Sequence, residues 1–176
     1  DFDRFYKLSQ PTIENDWQFE SVLSFLSILL DRRDFSRAID FVNQSFVSRQ
    51  QVRGLMEISS HIEDSNHRHN LLKQSYLIAV EISDVPARIR TLFDFVRHTH
   101  EVDSSLAVKA SEHMWEVVKP LSDIELHGYA ISGSILIDPE HGLHTLRSRL
   151  AVFQNSDNEI NHLLGNLWGI RICAHG

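Results

Sequence analysis

Histidine, aspartate and glutamate are the side chains here most able to do chemistry, with 11 His and 24 Asp plus Glu in 176 residues. Their best grouping is Asp138, Glu140, His141 and His144. Two histidines three residues apart share one face of a helix, so a divalent metal such as zinc could draw both imidazoles and a carboxylate. The same residues also read as the start of a helix. Asp138 caps it, Pro139 opens it, and acidic residues in the first turn suit the positive end of the helix dipole. That reading needs no ligand, and the expectation is no metal and no cofactor. The pairs His67/His69 and His98/His100 are two residues apart, a spacing that points side chains away from one another on a helix.

Other chemistry finds less footing. The sequence contains no Walker-type phosphate loop, no Gly-x-Gly-x-x-Gly, no Gly-x-Ser-x-Gly elbow and no His-Glu-x-x-His. Cys173 is the only cysteine, so no internal disulfide and no cysteine zinc site can form, and a reducing, cytoplasmic setting is the expectation. A nucleophilic role for it would need a base and an electropositive setting, and the sequence supplies neither. The formal charge of −7 disfavours nucleic acid, which is bound by clustered Lys and Arg. Asp1 to Gln10 carry no basic stretch followed by an apolar one, and no run approaches the roughly 20 apolar residues of a membrane helix. A start at Asp1 rather than Met leads us to expect a piece of a longer chain.

The elements that must position these residues are helical. Apolar residues recur at three- and four-residue steps almost throughout, and Pro and Gly are sparse. Val22, Leu26, Leu29 and Leu30 give a first helix ending near Leu30. Phe35 to Phe46 form a second, Val52 to Ile62 a third and Leu71 to Ile82 a fourth. Asp84 with Pro86, Asp103 with Ser104, and the capping box Ser122 to Glu125 open the fifth, sixth and seventh. Asp138 opens the eighth and a second capping box, Ser156 to Glu159, opens a ninth. Connections of a few residues make neighbouring helices antiparallel. The expectation is one all-α domain over 1–176, with an N-terminal segment and first helix in 1–33 and a right-handed stack of helix hairpins over 34–172.

The hairpins look related to one another. Val52, Ile89, Leu126 and Leu163 are aliphatic at a spacing of 37, and two places on come Gly54, Thr91, Gly128 and Gly165, all small. Phe41, Ile78, Trp115 and Val152 form a third column at that spacing. A small residue recurring at one helical position is what close helix approach requires. The pattern resembles the α-solenoid families, the HEAT and tetratricopeptide repeats. The HEAT likeness rests on the pairs Val52-Arg53 and Ile89-Arg90 and on Asp84 six residues before Arg90. His127 stands where that Arg would recur. Of the tetratricopeptide consensus, Trp, Leu-Gly, Tyr, Ala, Phe, Ala and Pro, no frame matches more than two or three positions. Either resemblance implies a superhelical binding surface.

The surface columns then suggest a partner. Arg53, Arg90 and His127 follow the aliphatic column and would form a basic ladder suited to an acidic or phosphorylated protein segment, with His61 and His98 as a second column. The competing expectation is that each Arg pairs with a nearby carboxylate, such as Glu57 or Asp94. With no catalytic motif in view, the sequence points to a protein-binding scaffold rather than an enzyme. The alternative is an enzyme or metal site dispersed among the His, Asp and Glu residues.

Overall fold

A computed structural model describes residues 16–153, with side chains described for 24–148. Among the described residues all regular structure is helical. The eight helices are α1 (Asp16–Asp31), α2 (Phe35–Ser45), α3 (Ser48–Ser60), α4 (Ser65–Val80), α5 (Val85–Thr99), α6 (Ser104–Val118), α7 (Ile124–Ile137) and α8 (Pro139–Phe153). The expected ninth helix, with Leu163, Gly165 and Cys173, lies outside the described residues. Among those that are described, no helix is long and apolar enough to cross a membrane.

One type of residue starts most of these helices. Asp34, Asp64, Asp84, Asp103, Asp123 and Asp138 each precede a helix and accept a hydrogen bond from the backbone N–H three residues on. A carboxylate there satisfies an amide with no intrahelical partner and faces the positive end of the helix dipole. For α7 this corrects the expected Ser122 capping box, because Asp123 makes the bond, to the Leu126 N–H at 3.1 Å. The carboxylate is a stronger acceptor than the hydroxyl. At the other end of α1, Arg33 has φ 56°. The Asp34 N–H donates to the Leu29 carbonyl and the Arg33 N–H to that of Leu30, the paired bonds of a Schellman stop.

The described residues group into two compact units, divided between Ala79 and Val80. In the first, α1, α2 and α3 pack on one another. Leu26, Leu30, Phe41, Val42, Phe46, Leu55 and Ile58 form the core, joined by Leu71 of α4. Phe41 meets Phe25 and Phe46 edge-on at centroid distances of 5.0 and 5.9 Å. Burying such a ring stabilises by about 1.5–3 kcal/mol. Gly54 is small for a visible reason: a Cβ there would lie 2.8 Å from Cγ2 of Val42 and 3.1 Å from Cδ2 of Phe46.

In the second unit, α5 packs on α6 and α7, and α7 packs on α6 and α8. Ile89, Leu92, Phe95 and Val96 of α5, Leu106, Ala110 and Met114 of α6, and Leu126, Ala130 and Ile131 of α7 are buried. Two close approaches set the geometry. A Cβ on Gly133 would lie 2.6 Å from Cε of Met114, and one on Gly142 would lie 2.6 Å from the Ile135 backbone nitrogen. Asp138 is the single residue between α7 and α8, and its N–H donates to the Ser134 carbonyl while its own carbonyl receives the Gly142 N–H. The chain therefore folds back on itself within one residue. Of the expected small column, Gly54, Thr91 and Gly128 are buried.

Candidate functional site

The expected basic ladder does not keep three exposed members. His127 is 2% exposed. Its Nδ1 lies 3.1 Å from the Asp123 carbonyl oxygen, and since a carbonyl can only accept, Nδ1 carries the proton. The ring meets Trp115 edge-on at 6.3 Å. His127 thus secures the start of α7 rather than presenting charge to solvent, a correction that follows from its place on the buried face of that helix. Arg90 is half-exposed, and its guanidinium donates to Glu125 at 2.8 Å, joining α5 to α7. That hydrogen bond is the main reason the Arg90 pKa is raised, against an opposing desolvation. The competing expectation of a carboxylate partner therefore describes Arg90, with Glu125 in the role. Arg53 is exposed on α3 in the first unit. His61 pairs with Glu57 at 3.5 Å, one turn away on α3, and His98 is half-buried on α5.

The four residues considered for a metal are not gathered to hold one. Among the described residues no three His, Cys, Asp or Glu side chains are grouped in that way. One Asp138 oxygen accepts the His141 N–H at 3.1 Å, the capping role that the sequence also allowed. Glu140, His141 and His144 are exposed in the first turns of α8.

Two of them nevertheless border a cleft. Asp138 and His141, with Val108, Ser111, Glu112 and Trp115 of α6 and Ser134 and Ile137 of α7, line a cleft of about 280 Å³ within the second unit. Its floor is a closed hydrogen-bond set. The Trp115 indole N–H donates to Ser134 Oγ at 2.6 Å, and Ser134 Oγ donates to the Ala130 carbonyl at 3.1 Å. Ser111 Oγ stands 3.3 Å from Ser134 Oγ. With the Ser134 proton committed to the carbonyl, Ser111 is the donor of that contact, and Ser134 accepts from both neighbours with its two lone pairs. The set fixes the indole, a side chain whose large apolar body and single polar handle recur at binding surfaces. It also leaves the Ser134 hydroxyl bonded to a main-chain oxygen rather than to a general base, so this geometry does not activate it as a nucleophile.

The rim is acidic and the walls are mixed. Glu112 and Asp138 are exposed carboxylates, and Val108 is an exposed apolar side chain. Glu112 makes no hydrogen bond or ion pair among the described residues. Sequence reasoning found Asp138 and His141 but missed Ser111, Glu112 and Ser134, because nothing in their spacing marks them. Trp115 had a signal, since it falls in the apolar column with Phe41 and Ile78 and is the one member with a polar handle. Compared with protein families, with curated proteins and with solved structures, the chain finds no match in any of the three.

Proposed function

We propose that this chain is a non-catalytic helical-repeat scaffold, an α-solenoid of HEAT-like or tetratricopeptide-like hairpins, that binds a peptide or protein partner through the cleft between α6, α7 and α8. The observation that carries this reading is the cleft itself: a concave opening with an indole held in place by Ser134 and, at its rim, the Glu112 carboxylate, which has no ion pair among the described residues. A rigid aromatic beside exposed apolar and charged groups is the composition of a binding hot spot. A cleft of this kind on stacked helices suits the way helical repeats receive extended segments. The commitment of the Ser134 hydroxyl to a carbonyl favours binding over hydrolytic chemistry.

The partner is a protein rather than nucleic acid, since a net charge of −7 opposes phosphate. The lone Cys173 favours a reducing compartment, the cytoplasm. An acidic or phosphorylated segment on Arg53, Arg90 and His127 draws less support, because Glu125 already neutralises Arg90 and His127 is enclosed.

Selection of a random peptide library on the 176-residue chain tests the reading. Selected peptides should lose binding to a Val108→Arg variant, which narrows the cleft at an exposed position and leaves the core untouched. Peptides that bind the variant as well as the parent would place docking elsewhere, and a selection returning no binder would remove the cleft as a peptide site.

A further inference from the structure

We infer that the occupant of the α6–α8 cleft is an arginine side chain from a basic segment of the partner, an inference that rests on the docking reading above. Size is the first argument. At about 280 Å³ the cleft is below the ~300–1,000 Å³ of pockets that enclose a drug-sized ligand, so it suits one long side chain. The walls are the second. Val108 and Ile137 offer apolar contact to a methylene stem, and the Trp115 indole offers a partner to a planar cation.

Charge is the third argument, and it decides the sign. Glu112 comes from α6 and Asp138 from the turn between α7 and α8, so two carboxylates approach the cleft from separate parts of the fold. Glu112 is unpaired among the described residues, and Asp138 uses one oxygen on the His141 N–H. An acidic side chain entering here would meet both carboxylates, whereas a cation would neutralise the one that lacks a partner. The net charge of −7 would also steer a basic segment toward the chain.

Between the two basic residues, arginine fits better than lysine. Its guanidinium is planar, stacks on aromatic rings, pairs with carboxylates through two parallel N–H bonds, and sheds water more readily than an ammonium.

The test uses the isotope-labelled 176-residue chain and short Gly/Ser peptides that each carry one arginine, lysine, glutamine or glutamate. The readout is the indole N–H resonance of Trp115, separated from Trp17 and Trp168 by a Trp115→Phe variant. The arginine peptide should shift that resonance most, lysine less, glutamine little and glutamate not at all. Added salt should weaken the response, and Glu112→Gln should weaken arginine binding about tenfold, the loss of one charge-assisted bond. Glu112 is exposed, so the helical circular dichroism of the variant should match the parent. If glutamine or glutamate shifts Trp115 as strongly as arginine, or if Glu112→Gln binds arginine unchanged, the arginine assignment is overturned. Library peptides that still need an open Val108 face would then keep the docking reading alive. If neither the defined peptides nor any selected one reaches the cleft, both fall together.

Discussion

His113 lies half-buried on α6 with its Nε2 enclosed and without a hydrogen-bond partner, and burial together with the charge of Arg88 holds its pKa below the usual histidine range. Arg88 is kept in place by its own bond to the Ile82 carbonyl at 2.7 Å. In the unfolded chain His113 takes up a proton near its reference value of about 6.5, and in the folded chain only at lower pH. Between those values the unfolded state holds more protons, so the contribution is complete above about pH 6.5 and is lost as pH falls through the lowered folded value. A His113→Leu variant should therefore lose less stability between pH 7.5 and pH 5.5 than the parent does, measured by urea unfolding at each pH. Equal losses would show that this ring does not set the slope. Residue chemistry of this kind was only half legible in the sequence. Asp138 and His141 stand out by type and spacing, but burial decides what a histidine does, and a sequence does not show that His127 turns inward while His141 turns outward. Glu112 has no signal at all, being a surface glutamate until α6 places it over a cleft.

At the scale of the element, the helices were read from apolar periodicity, and their starts follow from a carboxylate satisfying a free amide. The one misplaced cap offers a direct comparison. Asp123→Ala should cost about 1 kcal/mol, the usual loss for a side-chain cap, while Ser122→Ala should stay within about 0.5 kcal/mol. Thermal melts of the two variants check this, and the reverse ranking would restore the hydroxyl as the cap. The helix contacts were legible where a small residue recurred, as at Gly54 against Val42 and Phe46. Gly142 was not, because it belongs to no column; its need comes from the one-residue turn at Asp138, which brings α8 against the backbone of α7. Gly142→Ala should overpack that approach, where main-chain atoms cannot swing aside, and destabilise by about 1–3 kcal/mol despite the better helix propensity of alanine. A melting temperature equal to or above the parent's would mean that the two helices separate at little cost.

At the scale of the whole molecule, the all-α class follows from the sequence because one periodicity runs nearly its full length. The division at Ala79 and Val80 does not, since no proline-rich or charged linker marks it and it falls at the end of α4. The 37-residue columns raise the expectation of a repeat, and of their aliphatic members Val52, Ile89 and Leu126 are buried in α3, α5 and α7. What periodicity cannot convey is where stacked helices leave a concavity, because that depends on side chains from three helices meeting in space. The α6–α8 cleft is the proposed docking site of a partner. It is tested most directly by recording the amide and indole spectrum of the labelled chain as the tightest library-selected peptide is added. Docking at the cleft predicts shifts concentrated at residues 108–115 and 134–141, with the Trp115 indole among the largest. Shifts centred on the first unit, or spread evenly with Trp115 unmoved, would contradict it.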